Sequence, residues 1–470
     1  MIKKIQNIFG DSDFSELFKK GGASFFLRII GQALGFILIL LIARNFGSET
    51  LGEYVLIIII LRIFTLFAKL GMDTTSLRMT ASFAIQNKWR SFFLFRKKVL
   101  IISLVSSLFM SLLMYFLSYE IASIIKKGAS LSEIQSLSIK IKIAAFFILP
   151  FVSFILHYQF LRGLKKITEY SFFYWVSQTI FTLIALVLFT QFAIQDQHPE
   201  LPIYCYLFSI IIVSIMAFFS YYINFNDKYK LTEKEINKVS FRQILGISIP
   251  LMFAQSGQMI MVWTDKLMLG SLESPDTING LMTTSQQVGV YHVIFKLSMF
   301  ASITLMAVNS IASSKFAELY VKKNFIVLKK VVQQSTKLIF WSSIPLILLF
   351  FLFPHVFLSF FGEKEFVSDI AISSFIILSI GKLINAFCGS VGNLLQMTGK
   401  QLIFMNVLFV GAILNIILNL ILIPKLGIKG AALASLCSIA FWNLTMVYFV
   451  KKEFGFLTFY IPFIQNERKK

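Results

Sequence analysis

Charged residues are scarce in this chain of 470 residues. Asp, Glu, Lys and Arg together make up 14% of it, whereas a soluble globular domain carries about 25%. Of the charged residues present, 44 are basic and 23 are acidic. The low total excludes an ordinary water-soluble enzyme or binding domain, and the imbalance calls for an explanation in terms of a negatively charged partner.

Residues that carry metal or redox chemistry are also scarce. The three cysteines, Cys205, Cys388 and Cys437, lie in apolar stretches without the spacing of a zinc site or a redox pair. The four histidines do not cluster with acids, and the sequence has no HExxH motif and no glycine-rich phosphate loop. We therefore predict that the protein is not an enzyme and has no cofactor and no bound metal.

Long apolar stretches dominate the chain. Hydrophobic residues make up 57% of it, and the mean hydropathy is +0.78. Stretches of roughly 20 apolar residues can cross a hydrocarbon core of about 30 Å as helices, and they lack the alternation of a lipid-facing β-barrel. We predict an all-α polytopic membrane protein with about 12 transmembrane helices. The predicted spans are 24–44, 51–70, 97–118, 143–161, 170–192, 202–223, 244–270, 289–313, 336–360, 370–396, 402–423 and 428–450.

A polar linker at residues 224–242 separates two sets of six spans. It divides the chain into an N-lobe (1–223), which begins with a cytoplasmic surface helix over residues 1–22, and a C-lobe (243–470). The N-terminal stretch lacks the pattern of a cleavable signal peptide. Six is an even number, so both sets enter the membrane from the same side, and the lobes are expected to be parallel with a cleft between them.

Weak internal similarity supports a duplication. Residues that correspond in type and order lie about half a chain apart: Gln32 and Gln255, Gly47 and Gly270, Gly52 and Gly289, Tyr54 and Tyr291. The second copy is longer because of an insertion at Glu273–Gln287 on the predicted outer side, whose role the sequence leaves open.

The net charge of +21 comes from basic residues in the short links on one side of the membrane. Arg78 to Lys98, Arg162 to Lys166 and Lys315 to Lys337 are examples. By the positive-inside rule this side is cytoplasmic, and so are both termini. The basic links are expected to meet the anionic lipids of the cytoplasmic leaflet, and nucleic acid is rejected as a partner.

Six basic side chains fall inside the predicted spans: Arg28, Arg62, Lys69, Lys266, Lys296 and Lys382. A charge at mid-bilayer costs about 2.5–3.5 kcal/mol, so it usually faces a wet cavity or a partner. Lys69 and Lys266 lie near span ends, where a side chain can snorkel to the surface. The other four are predicted to line a cavity that suits an anionic ligand, because arginine and lysine both bind phosphate groups, with ion pairing inside a lobe as the alternative.

Asp265 is one of two acids near the predicted spans, the other being Asp73. It is predicted either to form a local ion pair or loop anchor, or to accept a proton or Na⁺ that couples transport to an ion gradient. Asn415 and Asn419 are four residues apart and share one helix face. Hydrogen bonding between helices is the favoured role for this pair, and sugar contact is the alternative.

The stretch from Leu414 to Ala434 resembles a signature of the polysaccharide (oligosaccharide repeat-unit) flippases, which share a superfamily, MATE/MOP, with MATE drug exporters and the lipid II flippase. Within it, Pro424 is expected to end one helix, Gly427 to make the turn, and Gly430 to allow close packing of the next helix. Two further segments, Ala43–Tyr54 and Asp265–Tyr291, also resemble the family. The sixth span lacks a matching copy of the signature, so the repeat is imperfect.

The resemblance implies export of an undecaprenyl-diphosphate-linked glycan across the bacterial inner membrane by alternating access, for an O-antigen or capsule-type polysaccharide. The partners implied are the lipid-linked oligosaccharide, membrane lipids and other polysaccharide-assembly proteins, and a monomer is expected. Two alternatives remain at this point. A cation-coupled multidrug antiporter would favour acids in its cavity, and a membrane glycan polymerase or ligase would need a long outer loop with reactive residues.

Overall fold

The computed structural model describes residues 12–190, 198–225, 239–362 and 364–460. In this part of the chain the regular structure is helical, without strands. The helices are, in chain order, α1 (Ser12–Ala68), α2 (Met72–Ile85), α3 (Trp89–Phe116), α4 (Ser118–Ile125), α5 (Leu131–Ala145), α6 (Ile148–Gly163), α7 (Ile167–Ser171), α8 (Gln178–Thr190), α9 (Leu201–Phe225), α10 (Phe241–Ser271), α11 (Pro275–Ile278), α12 (Thr284–Phe300), α13 (Ile303–Val321), α14 (Phe325–Leu352), α15 (Pro354–Ser359), α16 (Asp369–Cys388), α17 (Val391–Met397) and α18 (Gln401–Phe454). A π-helical turn (Phe172–Ser177) and a 3₁₀ turn (Lys364–Val367) complete them.

Two glycines interrupt the longest helices. Gly47 divides α1 with φ 83° and ψ 172°, and Gly427 divides α18 with φ 55° and ψ −129°. These backbone conformations favour glycine, because a Cβ is unfavourable there. A Cβ placed on Gly430 would lie 2.2 Å from the carbonyl oxygen of Leu422, which shows that the chain folds back at Gly427. The sequence predicted both turns, although the helix continues past Pro424 instead of ending there.

Membrane-length helices make up most of the described chain. Seven are long and apolar enough to cross a bilayer, and two bent pairs raise the number to as many as nine. The helices α5 and α6 meet at 43°, and α12 and α13 meet at 49°. These pairs cover the predicted spans 143–161 and 289–313, which are therefore longer than predicted and bent. An all-α membrane fold is confirmed, while the number twelve stays a prediction.

The N-terminal region and the linker are described only in part. Residues 1–11 and 226–238 lie outside the described residues, so the surface helix over 1–22 and the linker 224–242 stay predictions. From Ser12 onward the backbone is helical and continues into the first predicted span without a break.

The chain divides into two compact units. Unit 1 contains Met1–Ile42, Ile57–Ala122 and Leu131–Gln255, and unit 2 contains Ala43–Leu56, Ser123–Ser130 and Ser256–Lys470. Two short segments from the first half of the sequence thus belong to the second unit. The lobe boundaries predicted from the sequence are simpler than this division and stay a prediction.

Unit 1 is packed around aromatic side chains at the contacts of α3, α6 and α9. The rings of Phe92 and Phe225 stack with 4.9 Å between centroids, and Phe160 meets Phe92 edge-on at 5.9 Å. All three rings are fully buried. Because lipid is as apolar as these rings, close van der Waals packing of this kind, and not removal from water, stabilises helix contacts inside a membrane.

Unit 2 contains a close crossing between α12 and the part of α1 that follows Gly47. A Cβ placed on Gly52 would lie 1.7 Å from the carbonyl oxygen of Ser285, and one placed on Gly289 would lie 2.1 Å from that of Ser48. The two glycines that correspond in the sequence repeat therefore form one backbone-to-backbone contact. Small residues are used in this way where helices in membranes pack closely.

Candidate functional site

A buried carboxylate, Asp265, is the centre of the polar network in unit 2. Its Oδ1 accepts hydrogen bonds from the Nδ2 atoms of Asn415 (3.0 Å) and Asn419 (2.7 Å). Its Oδ2 accepts from the hydroxyls of Tyr291 (2.6 Å) and Ser435 (2.5 Å). Only 2% of Asp265 is exposed. Four hydrogen-bond donors therefore converge on one buried carboxylate.

The break in α18 makes this arrangement possible. Asn415 and Asn419 precede Gly427, and Ser435 follows it. Because the chain reverses at Gly427, residues on both sides of the break meet the same carboxylate on α10. The side chains of Asn415 and Asn419 also bond to each other at 3.2 Å, as expected for residues four apart on one helix face.

Three lysines lie near one another beside this network, and two of them contact the same aromatic ring. The ammonium of Lys266 lies 4.2 Å from the centre of the Phe295 ring, and that of Lys382 lies 5.5 Å from it. Lys296 follows Phe295 on α12 and is close enough to Lys266 for repulsion between the two ammonium groups. Lys266, Lys296 and Lys382, from three different helices, are called the lysine cluster below. An anion that binds among them would relieve the repulsion.

The lysine cluster corrects the sequence interpretation of Lys266. That residue was expected to snorkel to the membrane surface, but it is 3% exposed. Its Nζ donates to the carbonyl oxygen of Val262 at 3.1 Å. The step from Asp265 to Lys266 along α10 turns the two side chains in different directions, so the carboxylate enters the polar network and the ammonium faces Phe295.

Unit 1 contains the other two predicted ligand-binding residues. The guanidinium of Arg28 lies 4.7 Å above the ring of Trp175, a distance typical of a cation–π contact. Arg62 is exposed, and its Nη2 lies 3.5 Å from the hydroxyl of Tyr206. The structure thus places Lys296 and Lys382 together in unit 2 and Arg28 and Arg62 in unit 1.

Lys69 also differs from its expected role. Its Nζ lies 2.6 Å from Oδ2 of Asp73, and both residues are buried. The pair is four residues apart across the turn at Leu70 and Gly71. A buried lysine with a bonded carboxylate partner is neutralised locally, so Lys69 is explained by packing in unit 1.

The insertion on the predicted outer side is folded and packs on the break in α18. It contains α11, which begins with a capping box formed by Ser274 and Thr277. The Asp276 carboxylate accepts a hydrogen bond from the backbone N–H of Ile428, and burial raises its pKa above the usual value. A Cβ placed on Gly427 would lie 2.1 Å from Oδ2 of Asp276. The insertion therefore fills the space that the turn at Gly427 leaves.

Several functional residues were missed by sequence reasoning. Tyr291 was noted as a repeat residue without a role, and Ser435 and Phe295 were not singled out. A serine or an aromatic ring carries no signal in so apolar a chain, because many others look the same. The spacing of Tyr291 with Tyr54 in the repeat was the one available indication.

With this geometry in place, comparison with known proteins identifies the family. A family model described as polysaccharide biosynthesis protein matches residues 17–316, more than half of the chain. The chain belongs to this family. A second model, MatE, matches residues 250–421. The predicted resemblance to this family is thus confirmed.

One relative and several solved structures are similar to this family member. The membrane protein MJ1068 of Methanocaldococcus jannaschii is 24% identical over 282 residues, which are 59% of this chain and 52% of that protein. The chain therefore spans about half the length of this relative.

The solved structures share the fold at low identity. The lipid II flippase MurJ in an inward closed conformation has a TM-score of 0.68 at 16% identity, over 92% of this chain and 88% of its own. An inward-facing multidrug resistance MATE family transporter of the MOP superfamily has a TM-score of 0.69 at 14% identity, over 90% and 94%. These two structures confirm the predicted MATE/MOP-like fold.

Proposed function

We propose that this protein is a flippase that moves undecaprenyl-diphosphate-linked oligosaccharide repeat units across the bacterial inner membrane by alternating access. The glycans made from them would be O-antigen or capsule-type polysaccharides. A charged glycan headgroup cannot cross hydrocarbon without a polar path and fixed counter-charges. The observation that carries the proposal is the lysine cluster in a member of the polysaccharide biosynthesis family.

The lysine cluster suits the diphosphate of such a lipid. Its three ammonium groups supply several N–H donors and a net positive charge, and charge-assisted bonds to phosphate are strong in a partly buried site. Arg28 and Arg62 are proposed to contact the same class of ligand from unit 1. Arginine offers a paired set of donors to a phosphate, so the two residue types complement each other.

Asp265 is proposed as the residue that couples transport to a proton or Na⁺ gradient. It is a buried carboxylate next to the hydroxyl oxygens of Tyr291 and Ser435. Carboxylate and hydroxyl oxygens are the ligand type that hard cations prefer. The same carboxylate can instead take up a proton, because its hydroxyl partners can exchange donor and acceptor roles.

The alternative is a cation-coupled multidrug antiporter, and the match of the MatE model to residues 250–421 favours it. The lysine cluster argues against this function, since an organic cation would be repelled by three ammonium groups. The two functions therefore differ in the charge of the transported molecule.

A transport assay separates them. The purified protein is placed in liposomes with a fluorescent undecaprenyl-diphosphate oligosaccharide, and the label reaching the opposite leaflet is measured with an impermeant quencher. We expect transport that falls at least about tenfold in Lys382→Ala, since that substitution removes a charge-assisted bond worth roughly 1.5–3 kcal/mol. Arg62→Ala is expected to fall similarly, and Lys382→Arg to retain most transport.

Lys322→Ala is the matched control. This lysine pairs with Glu318 at 2.7 Å, and 66% of its side chain is exposed. Its loss is expected to leave transport unchanged. Wild-type transport in Lys296→Ala/Lys382→Ala, or uptake of tetraphenylphosphonium in place of the glycolipid, would contradict the proposal.

A further inference from the structure

A polar pocket in unit 2 lies apart from the lysine cluster. It has a volume of about 440 Å³, and the residues that line it are Phe46, Gly47, Ser48, Glu49, Gln286, Lys364 and Glu365. We propose that this pocket is a saccharide-binding site for neutral or amino sugars. The identity of its natural ligand as the glycan of a lipid-linked substrate rests on the proposed function.

The chemistry of the lining supports a saccharide. Glu49 and Glu365 can accept hydrogen bonds from sugar hydroxyls, while Lys364 and Gln286 can donate to ring and hydroxyl oxygens. Phe46 adds an aromatic ring against which the apolar face of a sugar can pack. Pockets for apolar drug-like molecules are instead lined mainly by hydrophobic side chains. The polar lining here therefore favours a ligand rich in hydroxyls.

The charge of the lining selects among saccharides. Two carboxylates and one ammonium give these side chains a net negative charge near neutral pH. An acidic sugar would be repelled, whereas a neutral sugar would not, and the ammonium of an amino sugar would be attracted. The net charge of the pocket lining is thus opposite to that of the lysine cluster. The pocket suits the saccharide part of a lipid-linked substrate, and the cluster suits its diphosphate part.

Three fixed segments form the pocket. The first is the turn at Gly47, whose positive φ sets the direction of α1. The second is the start of α12, where Gln286 and Thr283 form a capping box. The third is the 3₁₀ turn at Lys364–Val367. Side chains on segments held in this way lose less conformational freedom on binding a ligand.

Local contacts hold the third segment against the first. The Arg44 Nε donates to the carbonyl oxygen of Phe360 at 2.5 Å. Next to that carbonyl, the buried rings of Phe361 and Phe366 lie 5.8 Å apart and anchor the 3₁₀ turn in unit 2. The two glutamates of the lining are thereby held on two different segments of one pocket.

The position of the pocket along the chain agrees with contact to an emerging glycan. Its three segments are the links between predicted spans 1 and 2, 7 and 8, and 9 and 10. The distribution of lysine and arginine predicts that all three lie on the non-cytoplasmic side. A glycan that leaves the membrane on that side would meet this pocket after its diphosphate has crossed.

Saturation-transfer NMR with the purified full-length protein tests the proposal, because it detects weak saccharide binding. The probes are maltotriose, chitosan trisaccharide and a glucuronate disaccharide. We expect maltotriose or the amino-sugar probe to bind, and the glucuronate probe to bind at least about tenfold more weakly. In Glu49→Gln/Glu365→Gln the affinity should fall at least about tenfold, because both charged acceptors are lost.

Glu200→Gln is the matched control, since Glu200 also lies on a predicted outer link but in unit 1. It should bind the probes as the wild type does, and melting curves should show that all variants are folded. Absence of saccharide binding, preference for the glucuronate probe, or unchanged affinity in the double variant would overturn the proposal. If the protein transports the glycolipid but the double variant binds saccharides as well as the wild type does, the saccharide site at this pocket is refuted and the proposed function is not. Saccharide binding without glycolipid transport refutes the proposed function instead.

Discussion

Replacement of Asp265 separates its role in folding from its proposed role in coupling. Asp265→Ala removes the acceptor of four hydrogen bonds, from Tyr291, Ser435 and the two asparagines. Hydrogen bonds measured inside a membrane protein average about 0.6 kcal/mol, so four contribute about 2.4 kcal/mol. A buried donor left without an acceptor costs about 1–3 kcal/mol. We therefore expect a loss of about 2–4 kcal/mol in the free energy of unfolding.

Asp265→Asn should have a different effect. Its carbonyl oxygen can still accept from Asn415 and Asn419, and its amide can donate to Tyr291 and Ser435, whose hydroxyls can act as acceptors. We expect a loss of stability within about 1 kcal/mol. The negative charge is absent, however, so the dependence of transport on a proton or Na⁺ gradient should disappear.

The assay uses the cysteines of the chain. Cys205 and Cys388 are buried, while Cys437 is exposed, so a thiol-reactive fluorophore reports unfolding as the buried thiols become accessible. Transport is measured in the liposome assay with and without each gradient. Asn443→Ala serves as the control on α18, since its Nδ2 donates only to the nearby Ile439 carbonyl in the described structure. Wild-type stability in Asp265→Ala would refute the network argument, and gradient-driven transport in Asp265→Asn would refute the coupling role.

Three further changes follow from the packing. Gly289→Ala places a Cβ 2.1 Å from the Ser48 carbonyl oxygen, so the helices must separate, and thermal unfolding should show a loss of about 1–3 kcal/mol. Gly427→Ala combines a positive φ with a clash against Asp276, and its folded yield in detergent should fall below that of Gly289→Ala. Burial raises the pKa of Asp276 in the folded state. Its contribution to the free energy of unfolding is therefore present at acidic pH and is lost as the pH rises through that folded-state pKa. The melting temperature of the wild type relative to Asp276→Asn should therefore decrease from about pH 4 toward pH 7.

Controls for these three changes come from the same chain. Gly246→Ala lies in α10 where a Cβ would meet no atom within 4 Å, and it should be neutral or slightly stabilising because alanine favours a helix. A loss in Gly246→Ala equal to that in Gly289→Ala would show that the crossing with Ser48 is not the cause. A melting difference between the wild type and Asp276→Asn that is constant with pH would contradict the pKa argument.

Local features of the fold were predictable from the sequence. The turns at Gly47 and Gly427 were expected at these positions, because glycine tolerates a positive φ and the apolar stretches around it are too long for one span. The bends between α5 and α6 and between α12 and α13 were not predicted. Pro150, in the first turn of α6, is a local signal for the first bend, because proline cannot donate a backbone hydrogen bond to the preceding turn. No proline or glycine lies between α12 and α13, where Phe300 is followed by Ala301, Ser302 and Ile303, so that bend depends on the surrounding helices.

The candidate site was predictable only in part. Lys296, Lys382 and Asp265 were selected because charges in apolar stretches are costly, and that argument needs no structure. The same argument could not assign Lys266 to the lysine cluster, because a lysine near the end of a span can also snorkel to the membrane surface. It also could not find Ser435, which meets Asp265 across 170 residues of sequence.

The sequence by itself determined the helical membrane class, the family and the points where the longest helices reverse. These properties depend on hydropathy and on the backbone freedom of residues near each position. Only the tertiary structure decided that Asp265 receives four donors, that Lys266 and Lys382 meet at Phe295, and that the insertion covers the turn at Gly427. Those contacts join residues far apart in the chain, and side-chain partners are chosen by how the helices pack rather than by local sequence.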